Sequence, residues 1–418
     1  MKNIVEIFDM SYEGAGVGKL EGKVVFVPKT LVGDVVEIKK EKETRSYILG
    51  RVLSYQKSSA DRIVEKCPYF EKCGGCDLQH CAYEMELRVK KNVVLREFQK
   101  IGYNGEVGIV ASENRFGYRN KIKLEYVGGK LGFFEMKSRR LVEIERCEIA
   151  DERINLSIGK ISDFLKNNSF EFLKSVYIKV IENSVGICFL FEKNVKNAIK
   201  NAKKLEILKE FSVFCAEGVV LESNETKIFH IFGNKKFIYN WNGFECETDI
   251  SAFNQINDEV AKKLYDYVQV QTKNKRVVNA YSGQGLLTLL IARDAKFVYG
   301  IEYQKSAHAS AEKLKSQIDE YKIENVCGMV EDCLGEILQK DCIDLIVLDP
   351  AREGCDKKVL EEIVTSDIEM VVYVSCNFAT QVRDLKSLND KYEVKSVKIF
   401  DMFPCTANME TVAILKRR

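Results

Sequence analysis

Three side chains towards the C-terminus have the types that covalent catalysis with a separate base requires. Cys376 follows an apolar run and lies between the polar residues Ser375 and Asn377. Asp349 follows a second apolar run, and Glu410 precedes a third. A thiolate can add to an electrophilic carbon, and a carboxylate with a raised pKa can remove a proton. The start of the next helix would lower the pKa of the Cys376 thiol. The alternatives are a buried structural cysteine, a capped turn and a surface glutamate.

A glycine-rich turn upstream of these residues predicts a nucleotide-type cofactor site. The apolar run 276–280 leads into Gly283 and Gly285 and then into a helical pattern. Glycines let the backbone approach a ligand closely, and Glu302 after the next apolar run can bind a ribose diol. The dinucleotide fingerprint requires a third glycine where this chain has Thr288. This difference argues against NAD and favours S-adenosylmethionine, which has no pyrophosphate. The alternative is that the glycines only terminate a strand.

A methyl donor, a cysteine and a carboxylate together meet the requirements for methylation at carbon 5 of uracil. Carbon 5 is a weak nucleophile, and addition of a thiolate to carbon 6 allows it to attack an electrophilic methyl group. A base must then remove the carbon 5 proton so that the cysteine can leave. A nucleobase inside folded RNA must also be flipped out of its stack. We therefore expect a methyltransferase that acts on uracil in RNA.

The elements that must position these residues are indicated by a change of pattern near residue 256. Strand patterns at 276–280, 297–301, 345–348 and 370–374 alternate with helical patterns up to the C-terminus. This alternation predicts an α/β, Rossmann-like domain over 256–418, built on a doubly wound parallel sheet. Ligands bind such sheets beyond the carboxyl ends of the strands, which is where the motifs fall.

Two further domains are predicted upstream. Residues 1–56 contain short β-rich runs separated by glycines, as in a small OB-like barrel, and basic residues between 39 and 45 favour RNA binding there. Residues 57–255 begin with a cysteine cluster and continue mostly with strand patterns, which predicts a central α+β domain. Residues 115–123 interleave basic and aromatic side chains, which either contact RNA or protect an exposed strand edge.

A helix is predicted from about residue 83 to residue 101. Leu87, Val94 and Phe98 share one face of this helix, while Lys90 and Lys91 are expected to point elsewhere.

The composition limits the class of protein. A length of 418 residues predicts two or three domains, and a net charge of +2 gives no indication for or against nucleic acid. No apolar run reaches the ~18–20 residues of a membrane helix, and the N-terminus lacks a signal-peptide pattern. We therefore expect a cytoplasmic protein with reduced cysteines, no membrane partner and no obligate protein partner.

Cys67, Cys73 and Cys76 have the close spacing of metal ligands in a reduced compartment. The candidates for a fourth ligand are Cys81, His80 and Cys147. Four thiolates can hold either a [4Fe–4S] cluster or a tetrahedral zinc ion. The alternative is a set of unligated cysteines.

The chain resembles the bacterial RNA uracil-5-methyltransferases over nearly its full length. The motifs that carry the resemblance are 253–255 (FNQ), 281–285 (YSGQG), 349–352 (DPAR), 373–377 (YVSCN), 383–385 (RDL), 401–404 (DMFP) and 410–412 (ETV). The resemblance implies that Cys376 is the nucleophile and that Glu410 abstracts the proton. The implied cofactor-binding set is Gln255, Tyr281, Glu302 and Asp349. The resemblance also favours a structural [4Fe–4S] cluster over zinc, and the implied ligands are Cys67, Cys73, Cys76 and Cys147.

A substrate is implied as well. The N-terminal segment resembles a TRAM domain, an OB-like RNA-binding module. Family members with a TRAM domain and a cysteine cluster act mainly on large-subunit ribosomal RNA, whereas the bacterial transfer-RNA enzymes lack both. The implied substrate is therefore 23S ribosomal RNA, with transfer RNA as the alternative. Less favoured alternatives are a base N-methyltransferase and a non-catalytic iron–sulfur RNA-binding protein.

The chain departs from the family pattern at three positions. Ala351 stands where a second proline is usual, Leu286 where asparagine is frequent, and Cys405 where histidine is usual. The dipeptide Pro404-Cys405 is like the nucleophile motif of cytosine-5-methyltransferases, which makes Cys405 a rival of Cys376.

Overall fold

The chain forms two compact units, each assembled from separate stretches of sequence. The computed structural model describes residues 2–168, 170, 173–192, 218–223, 229–233, 236–250, 252–317 and 322–418. The first unit comprises Met1–Ala82, Asn114–Asp258 and Pro404–Thr406, and the second comprises Tyr83–Glu113, Glu259–Phe403 and Ala407–Arg418. In these described ranges, no helix has both the length and the apolar character needed to cross a membrane.

A six-stranded sheet occupies the start of the first unit, in the order β1-β5-β6-β4-β3-β2. Its strands are β1 (Ile4–Glu6), β2 (Asp9–Met10), β3 (Gly16–Leu20), β4 (Lys23–Val27), β5 (Val35–Glu43) and β6 (Tyr47–Lys57). Alternation along β5 buries Val36 and Ile38 in an apolar core that also contains Val5 and Val25. The predicted small β-domain is therefore confirmed. Helix α1 (Tyr83–Gln99) and strand β7 (Val107–Val110) follow along the chain and belong to the second unit.

A seven-stranded sheet and a hairpin make up most of the remaining first unit. The sheet contains β8 (Lys121–Val127), β9 (Lys130–Phe134), β10 (Leu141–Glu143), β11 (Leu173–Ile181), β12 (Ser184–Phe191), β13 (Gly218–Ser223) and β14 (Phe229–Gly233), and the hairpin pairs β15 (Lys236–Trp241) with β16 (Phe244–Asp249). Helix α2 (Glu152–Asn167), capped by Asp151, packs Ile154, Ile158 and Ile161 into the core of this sheet. Strand β8 lies between β9 and β11, so residues 121–123 do not lie on a strand edge, which excludes that alternative for this part of the stretch 115–123.

The second unit is built on an eight-stranded sheet in the order β19-β18-β17-β20-β21-β23-β22-β7. Its later strands are β17 (Arg276–Ala280), β18 (Phe297–Glu302), β19 (Ile323–Cys327), β20 (Leu345–Leu348), β21 (Met370–Ser375), β22 (Tyr392–Phe400) and β23 (Glu410–Arg417). Its later helices are α3 (Asp258–Gln271), α4 (Leu286–Ala292), α5 (Lys305–Lys315), α6 (Val330–Lys340), α7 (Lys357–Thr365) and α8 (Phe378–Leu388). Strands β17 to β21 are parallel, which confirms the predicted Rossmann-like sheet. All of them except the edge strand β19 are almost fully buried.

The pairing of β21 with β23 explains why a residue from the C-terminus reaches the site. Strand β23 runs antiparallel to β21, with Thr411 opposite Ser375. The start of β23 therefore lies at the carboxyl end of β21, and Glu410 and Cys376 each lie one residue beyond this pair. Asp349 follows the parallel neighbour β20 and reaches the same edge.

Helix α1 buries a charged pair that its sequence pattern does not predict. Glu86 and Lys90 lie one turn apart, and their side chains are 0% and 1% exposed. The Lys90 ammonium donates to Glu86 Oε1 at 2.8 Å and to Asp401 Oδ1 at 2.6 Å. The expectation that Lys90 points away from the apolar face is therefore wrong, because two buried carboxylates compensate its charge.

The three-part division at residues 1–56, 57–255 and 256–418 stays a prediction. The first sheet ends at Lys57 and helix α3 begins at Asp258, close to the expected boundaries. The two compact units divide the chain differently, since the first sheet and the central sheet belong to one unit and α1 belongs to the other.

Candidate active site

Cys376 occupies a one-residue turn between a buried strand and a capped helix. The β-branched run of β21 ends at Ser375, and helix α8 begins at Phe378. Asn377 is the N-cap, and its side chain accepts a hydrogen bond from the Thr380 amide. Since the strand and the cap fix both neighbours, the half-buried thiol has a defined position at the sheet edge.

The environment of Cys376 disfavours the thiolate in the free protein. Burial raises the pKa of the Cys376 thiol, the nearby Glu410 carboxyl raises it further, and Arg352 opposes both. The pKa of this thiol is therefore shifted in the direction opposite to the one expected from the following helix, and burial is the largest cause. The thiol holds its proton near neutral pH until a further interaction favours the anion.

Two carboxyl groups with raised pKa values lie beside this thiol. Glu410 is 4% exposed, and burial together with Asp349 raises its pKa well above the usual range. Burial also raises the pKa of Asp349 to about 7. A carboxylate with a raised pKa is a stronger base once it is deprotonated, which suits the role expected for Glu410.

The glycine turn after β17 has the shape of a ligand cradle. Tyr281, Gly283 and Gly285 have positive φ values of 61°, 57° and 87°. A Cβ at Gly285 would lie 2.6 Å from the Ala311 Cβ, so that glycine is required for the packing of α4 against α5. A Cβ at Gly283 would meet nothing within 4 Å, so the backbone there is open to a ligand.

Glu302 fixes the glycine turn from the end of β18. Its carboxylate accepts from the Gly283 amide at 2.9 Å and from the Gln304 amide at 2.7 Å. Each carboxylate oxygen retains a second lone pair, which can accept a hydrogen bond from a ribose hydroxyl.

Buried polar atoms beside this turn lack partners. Ser282 Oγ and Asn279 Oδ1 are buried without a hydrogen bond, although such atoms are usually paired. Thr288, in place of a third glycine, is 2% exposed and accepts from Asn279 Nδ2 at 2.8 Å. S-adenosylmethionine fits the open backbone at Gly283, the carboxylate of Glu302 and the unpaired oxygens of Ser282 and Asn279. A dinucleotide site needs glycine at the position of the buried Thr288.

The expected cofactor set is divided between the units. Tyr281, Glu302 and Asp349 follow or end neighbouring parallel strands, and burial beside Cys355 raises the pKa of the Tyr281 hydroxyl. Gln255 belongs to the first unit, where its carbonyl accepts from Asn120 Nδ2 at 3.0 Å.

Cys405 has a different environment from Cys376. It is 0% exposed and packs in the first unit with Phe70, Cys76 and Ile149. Its carbonyl accepts from the amides of residues 77 and 78 at 3.0 and 2.9 Å. Glu410 and Asp349 instead raise the pKa of the Cys376 thiol.

The four expected cluster ligands lie near one another in the first unit. Cys67, Cys76 and Cys147 belong to a single apolar cluster. Burial, and then the thiols of Cys73 and Cys67, raise the pKa of Cys147 to about 11. The donor set therefore suits a four-thiolate group chemically. Across the described ranges, however, no three His, Cys, Asp or Glu side chains are arranged to hold a metal ion.

The other fourth-ligand candidates lie nearby but are less closely associated with these thiols. The Cys81 thiol donates to the Ala82 carbonyl at 3.2 Å. The His80 ring packs 5.3 Å from the Phe70 ring, and burial lowers the His80 pKa to about 3. Cys147 is the candidate whose pKa responds to two of the other expected ligands.

Sequence reasoning missed three cations. Arg352 lowers the pKa values of Cys376 and Glu410. Lys29 donates to the carbonyls of Phe70, Cys73 and Cys76 in the cysteine segment. The Lys179 Nζ lies within hydrogen-bonding distance of four oxygens between residues 248 and 254. Arg352 was marked by its place in a motif, whereas no sequence signal distinguishes the two lysines from surface lysines.

Comparison with known proteins identifies related sequences and folds. The family model described as tRNA (Uracil-5-)-methyltransferase matches residues 82–418, and the TRAM domain model matches residues 4–53. An uncharacterized RNA methyltransferase of Halalkalibacterium halodurans is 31% identical, covering 99% of this chain and 96% of the relative. One from Clostridium acetobutylicum is 30% identical with the same coverage.

A solved structure shares the fold over the full chain. It is the Pyrococcus abyssi tRNA (uracil-54, C5)-methyltransferase in complex with S-adenosyl-L-homocysteine. The TM-score is 0.77 at 22% identity, covering 99% of this chain and 100% of that one.

Proposed function

We propose that this chain uses Cys376 as nucleophile and Glu410 as base. The chain belongs to the tRNA (uracil-5-)-methyltransferase family and is an S-adenosylmethionine-dependent RNA (uracil-5-)-methyltransferase. The main support is the register of β21 and β23, which brings the thiol and the carboxyl to one sheet edge. Asp349 reaches the same edge from β20 and interacts with both groups.

The proposed reaction needs two separate actions from these side chains. The Cys376 thiolate adds to carbon 6 of uracil, and the ring electrons move onto the carbon 4 oxygen as an enolate. S-adenosylmethionine, when bound, supplies the electrophilic methyl group that carbon 5 attacks, with S-adenosylhomocysteine as the leaving group. The Glu410 carboxylate then takes the carbon 5 proton, the double bond re-forms and the thiolate leaves. Cysteine is regenerated, and the proton remains on Glu410 until it passes to solvent.

The proposed cofactor-binding residues are Gln255, Tyr281, Glu302 and Asp349. Glu302 is held by two backbone amides and is placed to accept from a ribose. The open backbone at Gly283 allows the ligand to approach the turn. The variant Glu302→Gln should weaken S-adenosylmethionine binding about tenfold in calorimetry, because a charge-assisted acceptor becomes a neutral one. Unchanged affinity would contradict this assignment.

The identity of the nucleophile is tested by trapping the covalent adduct. In RNA that contains 5-fluorouridine, carbon 5 carries fluorine, which a base cannot remove as it removes a proton. The adduct should therefore persist and survive denaturing electrophoresis. Cys376→Ala should form no adduct, whereas Cys405→Ala should form it if the variant folds. An adduct that persists in Cys376→Ala and disappears in folded Cys405→Ala would reverse the assignment.

We propose 23S ribosomal RNA as the substrate. The TRAM domain at residues 4–53 and the cysteine segment after it support this choice, since family members with both act mainly on large-subunit ribosomal RNA. Transfer RNA is the second candidate, because a transfer-RNA enzyme from Pyrococcus abyssi shares the fold over the whole chain.

Mass mapping of RNA from cells lacking this protein separates the two substrates. Loss of a 5-methyluridine from 23S ribosomal RNA, with transfer RNA unchanged, is the expected result. Loss from transfer RNA with every ribosomal 5-methyluridine retained would establish the second candidate. Restoration of the modification by wild-type protein but not by Cys376→Ala would assign it to this active site.

We also propose that Cys67, Cys73, Cys76 and Cys147 hold a structural [4Fe–4S] cluster, with zinc as the alternative. The support is the apolar cluster shared by Cys67, Cys76 and Cys147 and the influence of the Cys73 thiol on the pKa values of Cys76 and Cys147. Anaerobically purified protein should contain iron and acid-labile sulfide in equal amounts. Cys147→Ser should lose iron, and Cys81→Ser should retain it. A colourless protein with stoichiometric zinc would contradict the iron–sulfur proposal.

A further inference from the structure

A glutamine of helix α8 is buried against the two strands that lead to Cys376 and Glu410. Gln381 is 0% exposed, and its Nε2 donates to the Tyr373 carbonyl of β21 at 2.7 Å. The same Nε2 lies 3.5 Å from the Thr411 carbonyl oxygen of β23. Because carbonyl oxygens only accept, these contacts fix the orientation of the amide and leave Oε1 as an acceptor.

The side chain of Thr411 completes a link between helix α8 and both strands. Thr411 Oγ1 lies 2.7 Å from Gln381 Oε1 and 3.1 Å from the Ser375 carbonyl oxygen, and its one proton is shared between these acceptors. Thr411 and Ser375 are opposite each other in the register of β21 and β23, and both are buried. Side-chain hydrogen bonds therefore reinforce the pairing of the two strands at this position.

This link lies directly next to the two proposed reacting groups in sequence. Thr411 follows Glu410, and Ser375 precedes Cys376. Helix α8 begins two residues after Cys376, so the link also ties the helix after the thiol to the strand that begins with the carboxyl. A buried polar network with paired members favours a single arrangement. A shift of about 1 Å in a reacting group can slow a reaction about a hundredfold.

We propose that Gln381 and Thr411 are positioning residues that set the separation between the Cys376 thiol and the Glu410 carboxyl. Their polar atoms bond to each other and to backbone carbonyls, so they act through the residues next to them, and no bond to either side chain forms or breaks. The role rests on the proposed function, in which these two groups are the nucleophile and the base.

Steady-state methylation of RNA from cells that lack this protein measures the effect. Thr411→Val and Gln381→Leu should each lower kcat about tenfold and leave the apparent KM for RNA and for S-adenosylmethionine unchanged, because only the reacting groups are displaced. Thr411→Ser keeps the hydroxyl and should retain most of the wild-type kcat. The double variant should be no slower than the slower single variant, because the two side chains form one link.

The matched control is Thr272→Val. Thr272 is also 0% exposed, and its hydroxyl donates to the Gln269 carbonyl at 2.7 Å. It precedes β17 and therefore lies towards the amino ends of the parallel strands, at the edge of the sheet opposite to Cys376. This variant loses a buried hydroxyl of the same kind, and it should keep the wild-type kcat.

Amide hydrogen exchange without RNA tests the link independently of catalysis. Exchange in peptides that cover 374–377 and 409–412 should be faster in Thr411→Val and Gln381→Leu than in wild type and in Thr272→Val. A wild-type kcat in both folded variants, an equal loss of kcat in Thr272→Val, or losses that multiply in the double variant would overturn the inference. Absence of methyl transfer by the wild-type protein, with the change in exchange intact, would instead contradict the proposed function and leave the link between the strands standing.

Discussion

Replacement of Lys90 by methionine should strongly destabilise the second unit. The substitution removes the donor to Glu86 and Asp401, whose side chains are both 0% exposed, and a third hydrogen bond to the Phe403 carbonyl. Breaking a buried ion pair by removing one partner costs about 3–5 kcal/mol, because the remaining charge is buried and unpaired. The donor from Tyr83 to Asp401 at 2.7 Å remains and compensates only part of one carboxylate. We therefore expect a loss of about 4 kcal/mol.

Thermal unfolding followed by circular dichroism tests this value. At roughly 2–4 °C per kcal/mol for a unit of this size, the melting temperature should fall by about 10 °C. The matched control is Lys91→Met on the same helix, whose ammonium pairs at 2.9 Å with Glu106, a side chain that is 84% exposed. That variant should lose at most about 1 kcal/mol, since exposed ion pairs contribute little.

The pH dependence of the Lys90 variant gives an independent check. In the folded variant, burial without the Lys90 ammonium should raise the pKa values of the Glu86 and Asp401 carboxyls above those of the unfolded chain. The folded state then binds more protons than the unfolded state, so the variant loses stability as pH rises and recovers part of it as pH falls towards 5. Equal melting temperatures for the Lys90 and Lys91 variants at pH 8 would refute the interpretation of a buried, compensated charge.

Three further changes have defined outcomes. In a denaturant titration, Gly285→Ala should lower the free energy of unfolding by about 1–3 kcal/mol, because φ is 87° and the new Cβ would lie 2.6 Å from that of Ala311. The same variant should bind S-adenosylmethionine more weakly. The control Gly159→Ala in α2, whose Cβ would meet nothing within 4 Å, should be neutral or stabilising in the same titration. Burial lowers the pKa of Lys179 to about 7, so between about pH 8 and 10 the unfolded chain binds more protons than the folded chain. Over this range the free energy of unfolding of wild type should rise by about 1.4 kcal/mol per pH unit relative to that of Lys179→Met. A difference that stays constant with pH would contradict this. Glu410→Gln should accumulate a methylated, denaturation-resistant protein–RNA complex with ordinary uridine RNA, and normal release of product would exclude Glu410 as the base.

Much of the second unit is predictable from its sequence. The run 345–348 consists of four apolar residues, which is typical of a parallel strand buried on both faces, and β20 has these bounds. Cys376 and Asp349 could be expected at one edge because parallel strands end together. Glu410 could be placed there only once β23 was known to pair antiparallel with β21, since the pattern of a run does not reveal its direction in the sheet.

The interactions that the sequence does not predict depend on contacts between distant residues. Glu86 and Lys90 are spaced as an ordinary exposed pair on a helix, and their burial follows from Asp401, more than 300 positions away. The pKa of Cys376 depends in the same way on burial and on Glu410, whereas its sequence neighbours suggest an accessible thiolate. Local sequence therefore predicts which groups are present at the site, and tertiary packing determines their charge.

The protonation of Asp349 and Glu410 should make the binding of S-adenosylmethionine depend more strongly on pH than the binding of S-adenosylhomocysteine. Burial raises the pKa of Asp349 to about 7, and Asp349 in turn raises the pKa of Glu410. S-adenosylmethionine carries a sulfonium charge that favours an ionised carboxylate nearby, whereas the sulfur of S-adenosylhomocysteine is neutral. Below about pH 7, binding of the cation must displace a proton, so its Kd should rise by up to tenfold per pH unit as pH falls. The Kd of S-adenosylhomocysteine should change less over the same range, and in Asp349→Asn the two dependences should converge. Parallel pH profiles for the two ligands in calorimetry of the wild-type protein would show that no titrating carboxyl of this group faces the methyl donor.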